Sequence, residues 1–300
     1  MEKEVEALPT KLVIATRLHL GRASSPPSDD KLTELIGNFL NFATNISKHE
    51  AERYSVIPVI AVDATPKIDG YDYTKAVQDK TSQLEEQRLQ GQNQEEQQQT
   101  RAIHVLPVTP WGKFVPALNA LISYSSEENG VGAKLILFVS AEVTASPITI
   151  QSLCNNLMED YDHTLVVGAA MNGHLYHESS SSPSETSSSS EVELSGRTCP
   201  WNTLAVWNVS KLKLTGFVLC SDLGSTAGVE ECAAIALQQQ IFGKSNSRAK
   251  LVKLNEISWK EKFDDDERRK WHEQKMNSKL ERAGKQLEMM TFSSGSVIHC

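Results

Sequence analysis

The sequence lacks a hydrophobic run long enough to cross a membrane. A bilayer-spanning helix needs about 20 apolar residues in succession, and no stretch of the 300 residues approaches that length. The first residues are acidic and contain no apolar core, so we expect no cleaved secretion peptide. The five cysteines are scattered, without close pairs or the spacing of zinc ligands, which is typical of reduced thiols. Together these absences predict a cytoplasmic protein without a transmembrane segment.

Basic residues are also in the minority. The chain has 30 Lys and Arg against 38 Asp and Glu, a net charge of −8, and it has no basic stripe interleaved with aromatics. Because nucleic-acid backbones attract concentrated positive charge, nucleic acid is excluded as the main partner. No glycine-rich G-x-G-x-x-G pattern follows the first predicted strand, which disfavours a dinucleotide-dependent oxidoreductase. With 39% hydrophobic residues, the chain is long enough to build one large α/β domain.

One short apolar run is central to the pattern that is present. Leu135 to Val139 is too short for a helix and is flanked by turn residues, which is typical of a strand buried on both faces of a mainly parallel sheet. Open α/β sheets bind ligands at the carboxyl ends of such strands. We therefore expect Ser140 and Glu142, which follow this strand, to face a ligand. A solvated carboxylate at a strand end is the open alternative for Glu142.

Short apolar runs and amphipathic segments alternate over the first two-thirds of the chain. This alternation predicts βαβ units and a three-layer α/β/α fold with a mostly parallel central sheet. The predicted strands are 12–15, 56–62, 103–108, 135–139, 163–169 and 251–254, and the main predicted helices are 28–47, 114–124, 149–160 and 228–240.

Several polar segments interrupt or flank this pattern. Residues 74–101 are rich in glutamine and residues 178–195 are rich in serine, so we predict exposed inserts there. Residues 259–300 carry many charges and few apolar positions, which predicts a charged helical extension and a tail. The predicted organisation is a tail over residues 1–10, one catalytic domain over residues 11–258 with these inserts, and the extension.

Read together, the segments from Leu12 to Gly243 resemble the GT-A type of nucleotide-diphospho-sugar glycosyltransferase, in particular its family-2-like inverting group. Ser140-Ala141-Glu142 stands where that family has an Asp-x-Asp motif at the end of an apolar strand, so the motif is degenerate here. Glu230-Glu231 matches the family's Glu-Asp pair, whose second member acts as the general base. The family's late Gln-x-x-Arg-Trp motif has no counterpart.

The resemblance also implies roles for other residues. It implies Glu231 as the general base with Glu230 as the second candidate, and a divalent cation (Mn or Mg) held by Glu142. The residues implied to bind the nucleotide-diphosphate sugar are Thr16, Arg17, Asp63, Lys113, Asn119, Ser140 and Glu142. The residues implied to bind the acceptor, whose identity the sequence does not specify, are Trp201, Asn202 and Thr203.

Other interpretations of the same residues stay open. Glu230 and Glu231 also suit the positive end of a helix dipole without any catalytic role, and Trp201 suits a hydrophobic core. Since Ser140 replaces a carboxylate, a catalytically impaired sugar-nucleotide-binding or scaffold protein is one alternative function. A sugar-1-phosphate nucleotidyltransferase is another, although the loop after the first predicted strand offers only Gly21 and Arg22 toward the phosphate-binding loop of that class.

Overall fold

The structure is a computed structural model that describes residues 8–21, 23, 25–90, 102–128, 130–177, 190–259 and 266–300, with the backbone alone for residues 266–273, 275 and 276. The strands are β1 (Thr10–Leu18), β2 (Tyr54–Asp63), β3 (His104–Val108), β4 (Leu135–Val139), β5 (Val143–Ala145), β6 (Thr164–Ala169), β7 (Ser190–Glu193), β8 (Leu204–Asn208), β9 (Arg248–Val252), β10 (Ile257–Trp259) and β11 (Ser296–His299). The helices are α1 (Asp29–His49), α2 (Tyr73–Gln90), α3 (Val115–Ser125), α4 (Pro147–Met158), α5 (Val209–Leu212), α6 (Glu230–Phe242) and α7 (Asp266–Met290).

Nine strands form one central sheet in the order β3-β2-β1-β4-β8-β6-β9-β11-β7. The pairs from β3 to β4 are parallel, β8 runs antiparallel to both β4 and β6, and β9 and β11 continue parallel to β6. The carboxyl ends of seven parallel strands therefore share one edge of the sheet with the starts of β8 and β7. The predicted α/β fold with a mostly parallel central sheet is confirmed.

Strand β4 shows why the sheet lies inside the molecule. All five of its residues are buried, and their side chains alternate between two hydrophobic clusters, one on each face. Ile136 and Phe138 pack in one cluster, while Leu135, Leu137 and Val139 pack in the other. This alternation follows from the two-residue period of a strand. The prediction of a strand buried on both faces is confirmed.

Side-chain caps fix where the helices around the sheet begin. Ser28 and Ser146 accept hydrogen bonds from the third backbone N–H of α1 and α4, at 3.2 Å in both cases. Helix α3 is capped from a distance, because the carboxylate of Asp222 accepts from the backbone N–H of Phe114 and Val115 at 2.6 and 3.1 Å. Each cap satisfies an amide that would otherwise lack a partner.

The two predicted inserts are only partly exposed. Helix α2 packs on α1 and buries Val77 and Thr81. Its first turns therefore have a buried face, which the glutamine-rich composition did not indicate. Residues 91–101 lie outside the described residues. Of the serine-rich insert, residues 178–189 also lie outside them, while β7 at its end pairs antiparallel with β11 in the central sheet.

The carboxyl-terminal segment is an integral part of the fold rather than an extension. Strand β11 lies between β9 and β7 and buries Val297 completely. Helix α7 contacts α6 and buries Ala283 and Gln286. The sequence pattern conceals this role because the described side chains that hold the helix in place are few and include the polar Gln286 beside Ala283 and Leu287. No helix in the described part of the chain has the length and apolar character needed to cross a bilayer.

Candidate functional site

A cavity of about 440 Å³ opens at the edge of the sheet where the parallel strands end. Its wall includes the end of β1, the segment before α3, the end of β4, the start of β8, the start of α6 and one face of α7. The residues of the wall used below are Thr16, Arg17, Lys113, Phe114, Ser140, Glu142, Trp201, Asn202, Thr203, Gly228, Val229, Glu230, Glu231, Lys279 and Arg282. The structure thus brings ten of the twelve predicted site residues to one cavity.

The end of β1 contributes a buried threonine and a partly exposed arginine. Thr16 is 2% exposed, and the guanidinium of Arg17 lies 5.5 Å from the centre of the Phe114 ring. Nη1 of Arg17 is 3.6 Å from Oε1 of Glu230, beyond hydrogen-bond distance. This nitrogen is enclosed and has no hydrogen-bond partner among the described residues.

The end of β4 forms a short turn that exposes one carboxylate. The backbone N–H of Ser140 donates to the carbonyl of Thr203 at 3.0 Å, and the N–H of Val143 donates back to the carbonyl of Ser140 at 3.0 Å. These bonds tie β4 to the start of β8. Glu142, in the middle of the turn, is exposed to solvent. We call this part of the cavity, Ser140 to Glu142, the strand wall.

The opposite side carries two buried carboxylates in the first turn of α6. Glu230 and Glu231 are 4% and 5% exposed. Burial and, as the second cause, the neighbouring Glu230 raise the pKa of Glu231 to about 7. A carboxyl group with such a pKa exists in both protonation states near neutral pH, which suits proton transfer. We call this part, Gly228 to Glu231, the helix wall.

An unusual backbone turn leads into the helix wall. Val229 has a φ of 56° and adopts the left-handed conformation, which β-branched residues rarely adopt. At the preceding Gly228, with a φ of 95°, a Cβ atom would lie 2.6 Å from Nη1 of Arg282. Such backbone conformations cost free energy and are concentrated at functional sites, so this turn makes the start of α6 a candidate part of a functional site.

Asn202 connects the helix wall to β8, although it was predicted to bind an acceptor. Its backbone N–H donates to Oε1 of Glu231, and its Nδ2 donates to Oε1 of Glu230 at 3.4 Å. Its Oδ1 accepts from Nε1 of Trp207 at 2.9 Å. Because each of these three groups already has a protein partner, Asn202 positions the acidic pair.

Trp201 is also more enclosed than an acceptor-stacking residue would be. It is 2% exposed, its Nε1 donates to the carbonyl of Gly196 at 2.9 Å, and its ring stacks on His174 with centroids 3.6 Å apart. Nζ of Lys279 lies 3.1 Å from the centre of the Trp201 ring. Thr203 is half-buried and lines the cavity.

Two predicted donor-binding residues do not line this cavity. Asp63 is 1% exposed, accepts from the N–H of Thr65 at 3.0 Å and pairs with Lys67, and it lines a neighbouring cavity of about 770 Å³. Both amide atoms of Asn119 bond to the backbone of Phe217, at 2.8 and 3.0 Å. Asn119 therefore holds a turn instead of facing the cavity.

Helix α7 supplies cavity residues that the sequence analysis missed. Nη1 of Arg282 donates to the carbonyl of Ala227 at 2.7 Å, and Nε2 of Gln286 donates to the carbonyls of Thr226 and Gly228 at 2.6 Å each. These bonds hold α7 against the helix wall. The signal in the sequence is a spacing of three and four residues between Lys279, Arg282 and Gln286, which places them on one helix face.

Glu142 is the side chain of the strand wall that could ligate a metal ion. Magnesium in nucleotide sites is bound by one or two carboxylates, with substrate phosphates and waters as the other ligands, and this wall offers one exposed carboxylate beside the neutral Ser140. Within the described ranges, no group of three or more His, Cys, Asp and Glu side chains is close enough to hold a metal. A cation at Glu142 would therefore need ligands from a bound diphosphate and water, and it stays a prediction.

Comparison with known proteins gives similarity in structure only. No protein-family model matches the chain, and no curated protein sequence does. Similar solved structures include S. aureus TarS, with 15% identity over 75% of this chain and a TM-score of 0.40. A synthetase of CMP:2-keto-3-deoxy-manno-octonic acid complexed with CTP has 11% identity over 82% of this chain and 90% of its own, with a TM-score of 0.41.

A third similar structure is 4-diphosphocytidyl-2C-methyl-D-erythritol synthase, with 10% identity over 69% of this chain and 79% of its own and a TM-score of 0.35. This chain spans 32% of the TarS structure named above and 54% of a second TarS structure, which covers residues 1–349 of that protein. At these scores, conclusions about the chemistry of this chain depend on its own residues.

Proposed function

We propose that the cavity binds a nucleotide-diphosphate sugar and that the protein transfers the sugar to an acceptor hydroxyl with inversion. One observation carries the proposal: Glu142 on the strand wall and Glu231 on the helix wall, far apart in the sequence, line the same cavity at the carboxyl edge of the sheet. This edge is where open α/β sheets bind their ligands, and the volume of the cavity suits a small-molecule site.

Glu231 is the proposed general base. Its carboxylate takes the proton of the acceptor hydroxyl while the acceptor oxygen forms a bond to the anomeric carbon of the sugar. The bond between that carbon and the diphosphate oxygen breaks, and the electron pair leaves with the diphosphate. The buried environment that raises the pKa of Glu231 to about 7 makes its carboxylate a stronger base than an exposed glutamate. Glu230 is the second candidate.

Ligand contacts are proposed for the other residues of the wall. Arg17 and Lys113 suit the diphosphate, because guanidinium and ammonium groups donate charged hydrogen bonds to phosphate oxygens. Thr16, Ser140 and Glu142 suit hydroxyl groups of the donor. No step is assigned to a metal ion, and Glu142 stays the predicted ligand of a divalent cation.

Binding without efficient turnover is the second candidate function. It is favoured by the hydrogen bond between the N–H of Asn202 and Oε1 of Glu231, because an oxygen that already accepts a proton donor is a weaker base. In this case the same cavity would hold a sugar nucleotide as a ligand, and the acidic pair would have a structural role.

Calorimetry with uridine and guanosine diphosphate sugars tests the binding step, with EDTA and with manganese. We expect at least one of these sugar nucleotides to bind the wild-type protein in the micromolar range and to bind the Glu142→Ala variant more weakly. Failure of every donor to bind would contradict the proposal. A transfer and hydrolysis assay on Glu231→Gln then separates the two candidates, since undiminished turnover would exclude Glu231 as the base. An assay for nucleotide transfer to a sugar-1-phosphate tests the remaining enzyme class.

A further inference from the structure

Four basic side chains line the cavity although the whole chain is acidic. Arg17 comes from β1, Lys113 from the segment before α3, and Lys279 and Arg282 from α7. The net charge of the chain is −8, whereas these four cations outnumber the three carboxylates that line the same cavity, Glu142, Glu230 and Glu231. The positions of the four cations span most of the sequence, which means that the fold assembles them.

Backbone groups hold two of these cations at the cavity. Nζ of Lys113 donates to the carbonyl of Gly224 at 2.7 Å, and Nη1 of Arg282 donates to the carbonyl of Ala227 at 2.7 Å. A carbonyl orients a cation without cancelling its unit charge. The ammonium of Lys279 lies over the Trp201 ring, a contact that also orients a cation while leaving its net charge in place.

Arg17 points to the kind of ligand that is involved. Its enclosed Nη1 has no hydrogen-bond partner within the described residues, and an enclosed donor without a partner costs free energy. An oxygen of a bound ligand would satisfy it. Guanidinium groups match phosphate oxygens in geometry and charge, so a phosphate group fits this position best.

The charges that could neutralise a diphosphate come from outside both walls. The strand wall has one exposed carboxylate beside the neutral Ser140, and the helix wall carries two buried carboxylates, whereas the basic side chains reach the cavity from β1, the segment before α3, and α7. We propose that Arg17, Lys113, Lys279 and Arg282 form a metal-independent diphosphate site, in which α7 provides half of the positive charge. This inference rests on the proposed function, because it takes the cavity to be the site that binds the nucleotide-diphosphate sugar.

Calorimetry with inorganic pyrophosphate in EDTA tests the site without assuming a nucleotide or a sugar. We expect binding in EDTA that changes by less than about twofold on addition of manganese. Arg17→Met and Lys279→Met should each weaken binding about 10- to 100-fold, the range expected for a charged hydrogen bond. Lys285→Gln is the matched control, because Lys285 lies on the same helix, pairs with Glu281 and does not line this cavity. It should bind as the wild type does.

The results also separate this inference from the proposed function. Binding that requires manganese, or that Arg17→Met and Lys279→Met leave unchanged, would overturn the inference even when sugar nucleotides bind. Pyrophosphate binding that depends on both residues, combined with failure of every sugar nucleotide, would support the basic site and overturn the proposed function. Thermal unfolding of each variant shows that the fold is retained, and Arg17→Lys, which keeps the charge, should recover part of the affinity.

Discussion

The two walls of the cavity carry acidic residues in opposite environments. Glu142 on the strand wall is exposed, and its turn is held only through backbone bonds of its neighbours. Glu230 and Glu231 on the helix wall are buried, and Asn202 contacts both. Burial of a carboxylate is costly unless partners compensate it. The carboxylates of the helix wall are therefore enclosed together with compensating partners, whereas the carboxylate of the strand wall is a surface group that a ligand could contact.

The largest effect that we expect is a loss of turnover when Glu231 on the helix wall is replaced. Glu231→Gln keeps an oxygen that can accept from the N–H of Asn202 but cannot take a proton. With a transferable donor and acceptor, we expect turnover to fall by about 10²- to 10⁴-fold, while calorimetry shows donor affinity within about threefold of the wild type. An equal loss of turnover in Glu142→Gln would contradict the assignment of the base to the helix wall.

The same variant should change the dependence of stability on pH. Because the pKa of Glu231 is raised from 4.5 to about 7 in the folded protein, the unfolded chain ionises first as pH rises. The free energy of unfolding of the wild type should therefore fall between pH 4.5 and 7, by on the order of 2–3 kcal/mol, and then level off.

Urea unfolding at pH 4.5, 6 and 8 measures this effect. The Glu231→Gln protein should lack that part of the decrease, because its amide does not titrate. Parallel stability curves for the two proteins across this range would contradict a buried, titrating Glu231.

A third prediction concerns Asn202 as the connection within the helix wall. Asn202→Ala removes the donor to Glu230 and leaves Nε1 of the fully buried Trp207 without its acceptor. We expect a loss of about 1–3 kcal/mol in the free energy of unfolding, measured in urea. Thr203→Ala is the neighbouring control and should lose less than about 1 kcal/mol. Equal losses in the two variants would show that the network around Asn202 contributes little.

The smallest effect is expected on the strand wall. Glu142→Ala should weaken the binding of a sugar nucleotide by about two- to tenfold, the value of an ordinary hydrogen bond, and should leave thermal stability within error because the side chain is exposed. Calorimetry in EDTA and in manganese should give the same ratio. A loss above a hundredfold that appears only with manganese would reverse the comparison and make Glu142 a metal ligand.

Much of the parallel half of the fold could be predicted from the sequence. The apolar runs at β1, β2 and β4 are short and continuous because those strands are covered on both faces, and that pattern is easy to recognise. Strand order also follows in part, since each strand alternates with a helix. The prediction that Glu142 and Glu231 line one cavity agrees with the geometry, whereas their chemical roles stay predictions.

The carboxyl-terminal part could not be predicted in the same way. β11 is four residues long, and its place in the sheet depends on pairing with β9 and β7, which are distant in sequence. The spacing of Lys279, Arg282 and Gln286 places them on one helix face, but which element that face contacts depends on the tertiary contacts of Gln286 with the segment before α6. Asn119 was predicted to bind the donor for a similar reason, because the backbone of Phe217, to which its amide bonds, is distant in the sequence.

The most direct test of the central claim is a ¹³C NMR titration of the Glu231 side-chain carboxyl, assigned by comparison with Glu231→Gln. We expect a midpoint near 7 in the free protein and a higher midpoint with saturating pyrophosphate in EDTA, because a nearby negative charge disfavours ionisation. A midpoint near the ordinary value of 4.5 that pyrophosphate does not change would contradict the account.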